Sequence, residues 1–471
     1  MTDQMHLLDA PVVPESGIKH TNFFNGRVLT ATDLQDEQAA NRRQHQQLGR
    51  ATGAGVVVGL EVSLAASGVG NSTPVLEVSR GLALNRRGQA VELVSARTRV
   101  TLARKLPAAA RSDAVFADCE PLRLGPDLVG RGVYIFAVAP ASAYRERAPM
   151  VPVGGGGRAS GCGDRYAVEG VVFRLVELPL DTLRASEDDR DIIAGLMSDS
   201  ERSSLAPLAR AAARSKLRNL LAHTCFGTES LAGFLRDPLR RVGGRSPLLR
   251  YGVEDALEDA GLLSDCDVPL ALIFWTQGGV RFVDMWAVRR RLIAAAPLGS
   301  AWPLPLEPRR QSEAEAMFQQ FQDQLAALVT DQGLSVANLN VLHARDFFRF
   351  LPPAGIVPIA TGTQRGFFYQ NFWHNVTHRE PVFIEGARLE HALREALSYP
   401  PQDLDAAELT WLYMLRQNIQ ARDTGAPGPP QPVVIFTSGQ LPFHGEAQYN
   451  LARWSYSNYG PGVGGLIVGG G

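Results

Sequence analysis

Residues Asn22 to Leu64, NFFNGRVLTATDLQDEQAANRRQHQQLGRATGAGVVVGLEVSL, hold an aromatic pair, a turn, a long polar helix and a first strand, and the rest of the chain reads outward from them. Asn25-Gly26, just after Phe23 and Phe24, is the dipeptide that most readily takes positive φ in a tight turn. Thr30 with Asp33, or Thr32 with Gln35, has the spacing at which two side chains satisfy free amides at a helix start. The pattern predicts a helix over Ala31 to Arg50. Between Leu34 and Leu48 its only apolar residues are Ala39 and Ala40, so it has no wide stripe to bury. A helix polar nearly all round either lies solvated on its own domain or packs against something polar, such as a neighbouring subunit. Gly53-Ala54-Gly55 ends it, and Val56 to Leu64 is the first strand.

With 471 residues the chain has room for about two to four domains. Apolar residues at 45% and charged residues at 20% are those of an ordinary globular protein. The formal charge of -1, from 47 basic and 48 acidic residues, excludes a global field that draws nucleic acid or an anionic membrane. The first residues lack the pattern of a secretory signal, and no apolar run reaches the roughly 18 residues of a membrane span. The expectation is a protein made and kept in the cytoplasm, unless it leaves as part of a larger assembly. Cys119, Cys162, Cys225 and Cys266 have neither zinc-site nor disulfide-framework spacing. Free, mostly buried thiols are expected, with one structural disulfide left open.

The expected fold class is α+β and multidomain, with small antiparallel β units and hairpins plus several amphipathic helices. Residues 1–105 read as a β unit with the long polar helix, its hairpin from Val75 to Val94 turning at Arg86-Arg87-Gly88. Residues 106–180 read as a mixed strand region. In it Val133 to Val138 and Val168 to Leu178 are apolar runs expected as central strands buried on both faces. The Gly- and Pro-rich stretch 145–167 between them reads as a long loop.

Residues 181–300 read as a helical segment plus an aromatic β-hairpin. The helical part is capped at Asp181-Thr182 and closed by Gly227. Arg210, Arg214 and Arg218 form a basic ridge on it, either solvated or facing an acidic neighbour. The hairpin runs from Val268 to Trp275 and back from Val280 to Trp286. Residues 301–450 read as an α+β C-terminal domain. It opens on a helix capped by Ser312 and Glu315 with Met317, Phe321, Leu325 and Leu328 on its apolar face. An aromatic-rich segment FFYQNFWHNVTHREPVFIEG (367–386) that ends in a strand, a short helix over 387–401, a helix over 406–422 capped by Asp403 or Asp405, and a strand VVIFTSG (433–439) follow. Residues 451–471 are a Gly-rich tail with no pattern for a core.

Candidate chemistry is thin. The Gly154 to Gly157 run lacks the lysine and the strand-to-helix context of a phosphate loop. His374 and His378 stand four apart with Glu380 behind, but Thr377 and Arg379-Glu380-Pro381 read as extended, which separates the two imidazoles. Ser438 with His444 lacks the nucleophile elbow, and Pro442 lies where its helix would start. Asp188-Asp189 and the Asp403/Asp405 pair sit in cap-like polar surroundings. Arg289-Arg290-Arg291 and Arg240-Arg241 are short clusters without a recognition fold. No catalytic, cofactor-binding or metal-ligating residue is assigned, and no enzymatic activity or cofactor is expected.

FFNGRVLTATDL (23–34) with GVVVGLEV (55–62) and RGLALNRRGQAVEL (80–93) resembles the amino-terminal part of an uncharacterised bacterial family associated with phage-tail-like, extracellular contractile injection systems. DVPLALIFWTQGGVRFVDMWAVRRR (267–291), TWLYMLRQN (410–418) and LPFHGEAQYNLARWSYSNY (441–459) look like later parts of the same proteins. The resemblance implies a structural or accessory component of such a particle, near its baseplate or fibres, acting through protein-protein contacts. The partners it implies are baseplate, spike or fibre proteins, with a homo-oligomer possible and no nucleic acid or membrane span. It carries no catalytic residue. Candidate contact residues are Phe23, Phe24, Asp36, Arg42, Arg43 and His45 at the polar helix, and Trp454, Tyr456 and Tyr459 in the tail. The alternatives are a soluble hydrolase, or a glycan- or surface-binding module using the aromatic region Phe367 to His378.

Overall fold

The computed structural model describes residues 17–65, 73–102, 116, 119, 132–150, 161–178, 207–228, 252–276, 279–293, 308–331, 333–360, 365–386, 389–416 and 432–441. Asp181-Thr182, Asp188-Asp189, Arg240-Arg241, Gly154 to Gly157, Pro442, His444 and the tail residues Trp454, Tyr456 and Tyr459 lie outside them. The architecture is α+β, as expected, with several small sheets, hairpins and multiple helices.

Helix α1, Ala31–Thr52, starts as its spacing predicts. Thr30 accepts from the Asp33 amide, Asp33 accepts from the Thr30 amide, and Gly53 at φ 116° closes the C-terminus. The first strand is interrupted. β1 (Gly55–Gly59) and β2 (Val62–Leu64) lie end to end on one edge of β3 (Val75–Leu84), and β4 (Ala90–Thr101) pairs along the other. At the break Gly59 and Leu60 take φ 63° and 57°, a left-handed turn between the two strands with the Leu60 side chain buried. Arg289 satisfies the local carbonyls by donating to Leu60 O at 2.7 Å and to Gly59 O.

The second sheet has the order β6-β5-β7-β8, all antiparallel, from β5 (Gly132–Met150), β6 (Gly161–Glu177), β7 (Val268–Thr276) and β8 (Gly279–Asp284). It takes two strands from the expected region 106–180 and two from 181–300. Alternation along β5 sorts the core by side-chain parity. Tyr134, Phe136 and Val138 face the first sheet with Val78, Leu93 and Trp275. Val133 and Ile135 face the helices α2 (Pro207–Phe226) and α3 (Gly252–Asp259) with Leu217, Leu221 and Leu257. β5 is thus buried on both faces over 132–140, as expected. β6 is not: it is an edge strand whose residues from Val171 to Leu175 are half-buried, because only β5 pairs with it.

The expected loop over 145–167 is also corrected. Pairing continues from Tyr134↔Glu177 out to Met150↔Gly161, so most of that stretch is the two arms of one hairpin. Glycine and proline lower strand propensity, but a ladder propagated from a buried strand overrides them.

Helix α4, Pro308–Thr330, joins the two halves. Met317 belongs to the core under the second sheet, and Phe321, Leu325 and Leu328 to the next core, so the apolar spacing reads correctly. Its cap does not. Ser312 lies inside the helix, buried, with no hydrogen-bond partner for its hydroxyl among the described residues. The helix instead starts at Pro308, whose missing amide costs nothing in a first turn.

Beyond α4 come the short helices α5 (Val336–Asn340) and α6 (Ala344–Phe347), β9 (Phe350–Leu351), β10 (Ala354–Pro358), α7 (Tyr369–Phe372), β11 (Val382–Glu385), α8 (Leu389–Ala396), β12 (Gln402–Asp403), β13 (Trp411–Arg416) and β14 (Val433–Thr437). The third sheet runs β10-β14-β13-β11, with β11 and β13 parallel. The helix expected over 406–422 is therefore wrong in its described part: Asp403 caps only a single turn, Leu404–Ala406, and Trp411–Arg416 is a strand. Ala407 at φ 53° turns the chain out of that helical turn. The run WLYMLR is apolar at consecutive positions, a pattern without a helical period, and it fills the slot between β11 and β14 with Leu412 and Tyr413 buried.

Two further expectations change. Cys119 and Cys266 form a disulfide with Cα atoms 5.6 Å apart, while Cys162 is free and exposed and Cys225 free and buried. The basic ridge is paired rather than solvated. Arg214 meets Asp331 at 3.0 Å and Arg218 meets Asp284 at 2.6 Å.

Candidate interaction surface

Residues 17–30 fold back along α1 as a strap. The Thr21 amide donates to Glu37 Oε2 at 3.0 Å, and the Thr21 hydroxyl donates to the Asp33 carbonyl at 2.9 Å. His20 lies 3.2 Å from Glu37 Oε1 and 3.1 Å from the Gln44 amide. At the tip, Gly26 at φ 87° makes the turn expected of Asn25-Gly26. Arg27 then reaches back to pair with Asp33, with its guanidinium 5.9 Å from the centre of the Phe24 ring. Hydrogen bonds from Thr30 hold the Asp33 carboxyl below the usual carboxylate range, and those from Thr21 and His20 do the same for Glu37. The strap is thus built on charged-state hydrogen bonds, not on a core.

The apolar side chains of this unit point out. Phe23 is 55% exposed, Phe24 62%, Val28 83% and Leu34 53%, with Leu29 and Leu48 also exposed. Single exposed apolar residues need no explanation; several large ones near one helix tip make it a candidate contact surface. Of α1 itself only Ala40 is buried. At about 1.5 Å per residue the helix is about 33 Å long. Its base packs backbone to backbone on the β3–β4 turn, where a Cβ on Gly49 would meet the Gly88 carbonyl and one on Gly88 would meet the Gln46 carbonyl.

Gly88→Ala is expected to loosen this base by about 1–3 kcal/mol, since Gly88 also sits at φ +77°. The check is amide exchange over 42–53, which should quicken about tenfold or more while the strands of the second sheet keep their protection. Unchanged exchange in α1 would refute the anchoring role.

The sequence did not reveal a second projection. Past Ser142 the β5–β6 ribbon leaves β7, which pairs only with 132–138, and Tyr144, Tyr166 and Val168 on it are exposed. A two-stranded ribbon wet on both faces is marginal by itself. Nothing in its glycine-rich sequence separates such a ribbon from a loop.

Of the candidate contact residues, Phe23 and Phe24 form the tip, while Asp36, Arg43 and His45 are exposed and Arg42 half-buried along α1. The aromatic region is mostly interior. Phe367, Phe372 and Trp373 are buried in the core of the third sheet, leaving Phe368 exposed. His378 holds its own turn through Nδ1 to Val376 O at 2.7 Å, and His374 lies tilted against His343 with ring centres 5.0 Å apart. Among the described residues no group of three or more His, Cys, Asp or Glu side chains is placed to hold a metal ion. Ser438 donates to the Pro400 carbonyl. Asp403 caps its turn and pairs with Arg349 at 3.1 Å, and Asp405 pairs with Arg345 at 3.0 Å. Burial pushes the Cys225 thiol up to about 12, which makes it inert. Arg290 lies 4.7 Å over the Phe226 ring and Arg291 pairs with Glu315 at 2.8 Å, so with Arg289 this trio cross-links the fold. No helix among the described residues is long and apolar enough to cross a membrane. No protein-family model and no curated protein matches the chain.

Proposed function

We propose that this chain is a structural or accessory component of a phage-tail-like contractile injection particle, at its baseplate or fibres, acting through protein-protein contacts and not by catalysis. The observation that carries the docking half of this reading is the projecting α1 with its strap, which spends its hydrogen bonds on presenting Phe23, Phe24, Val28 and Leu34 to solvent. The particle itself comes from the resemblance of FFNGRVLTATDL and the later segments. Baseplate, spike or fibre proteins are the partners, and the β5–β6 ribbon is a second contact. The chain would then be made in the cytoplasm and released only with the particle. The interior position of Phe367, Phe372 and Trp373 leaves a glycan-binding strip or hydrolase cleft without its aromatic wall.

The test is to sediment tail-like particles from the native host and from a strain without the sheath, and to search both for this chain by mass spectrometry. Recovery that depends on the sheath, and falls at least about tenfold for Phe24→Asp, is expected. Recovery only in the soluble fraction of both strains would end this reading.

A further inference from the structure

We propose that α1 also pairs with α1 of a second copy of this chain, antiparallel, with Asp36 of each copy level with Arg43 of the other. This inference rests on reading α1 as a docking element but uses a face apart from the apolar tip. The charges of the helix are sorted along its axis: Asp33, Asp36 and Glu37 all precede Arg42, Arg43 and Arg50, with no base in the first half and no acid in the second. None of the acids has a base three or four residues on, so the helix forgoes every pair it might have formed within itself. The macrodipole does not account for this, because its influence fades within the terminal turns and Asp36, Arg42 and Arg43 lie further in.

Asp33 and Glu37 are occupied by the strap. Asp36, Ala39, Arg43 and Arg50 recur at helical spacing on another face, where the three charged residues are exposed and have no ion pair among the described residues. Ala39 lies midway, and its small side chain lets a second helix approach. Leu34 and Leu48 lie on the far side of the helix from that row, so the apolar tip stays open to a different protein. A wholly acidic or wholly basic partner would satisfy one half of the face and repel the other. A parallel copy would set Asp36 on Asp36 and Arg43 on Arg43. An antiparallel copy matches both halves at once, which is the self-complementarity of a two-fold contact.

The full-length chain at low salt, in sedimentation velocity up to about 100 µM, should form a dimer that weakens as ionic strength rises. Asp36→Arg and Arg43→Glu should each weaken it about tenfold or more, since each turns two symmetry-related attractions into repulsions. An equimolar mixture of the two variants should regain the wild-type affinity, because Arg at 36 then faces Glu at 43 and Asp36 faces Arg43. The double variant in one chain should regain it too. A monomer throughout the range, a dimer indifferent to either reversal, or a mixture no tighter than its parts would overturn the pairing. A monomer still recovered with sheathed particles overturns this inference and leaves the docking reading standing. A dimer that never sediments with particles does the reverse.

Discussion

Arg218→Met is expected to destabilise the chain by about 3–5 kcal/mol, the cost of leaving a buried charge without its counter-ion. Asp284 closes β8 with no exposed surface. Its Oδ2 takes the Arg218 Nε proton at 2.6 Å and the Gln320 amide at 3.0 Å, and its Oδ1 takes the Ala287 amide at 3.2 Å. The network continues from Gln320 to Gln324 at 2.9 Å and from there to Ser215 at 2.6 Å, so it ties β8 to α4 and α2. Burial raises the Asp323 carboxyl, Arg218 lowers it and the Asp284 charge raises it again, so losing the guanidinium disfavours two carboxylates. The double variant Arg218→Met, Asp284→Asn should recover much of the loss, because the cost is that of an orphaned charge and not the net worth of the pair. Urea titrations of the two single variants and the double variant measure this. A loss below about 1 kcal/mol for Arg218→Met would mean that water reaches Asp284, and the network would not be the tie described.

That network also shows where sequence and structure part. Arg210, Arg214 and Arg218 recur every fourth residue, and their spacing places them on one face of α2. It does not say that the face meets Asp331 and Asp284, which come from 117 and 66 residues away. Local signals were legible wherever the chemistry is local. The Thr30 and Asp33 cap, the turn at Asn25-Gly26, the stop at Gly53 and the hairpins through Gly88 and Gly279 all follow from neighbours within four residues. Met317, Phe321, Leu325 and Leu328 were legible by periodicity. The errors lie where tertiary contacts choose between local options. WLYMLR carries no period, and pairing with β11 and β14 makes it a strand. Ser312 has a capping spacing, but Pro308 begins the helix a turn earlier. Cys119 and Cys266 stand 147 residues apart, a pairing no spacing rule reaches. Of the candidate interaction surface, the polar helix was legible from its lack of an apolar stripe. The strap was not, since its bonds run from Thr21 to Glu37 and from His20 to Gln44 across a turn whose direction only the fold sets.

Acid should find His223 first. Its Nδ1 shares a 2.8 Å hydrogen bond with Thr228 Oγ1, while its ring stacks on Phe350 at 5.1 Å and meets Phe226 edge-on at 5.5 Å. Its Nε2 is buried without a partner among the described residues, and burial lowers its pKa to about 3. In the unfolded chain a histidine titrates near 6.5. Above that value the ring is neutral in both states and contributes nothing to the pH dependence. Between about 6.5 and 3 the unfolded chain binds a proton that the folded chain refuses, so stability falls as pH falls, by about 1.4 kcal/mol per unit. The loss reaches about 4–5 kcal/mol near pH 3, where the folded ring begins to take the proton as well. Asp323 acts with the opposite sign, since its raised folded pKa means that acid relieves its burial. It is common to wild type and to His223→Gln, so the difference between their stabilities isolates the imidazole. That difference should be flat above pH 7 and should narrow against wild type by about 1.4 kcal/mol for each unit below 6. Parallel pH profiles for the two proteins would mean that the ring takes its proton as readily in the fold as in the unfolded chain, so that burial does not hold it neutral.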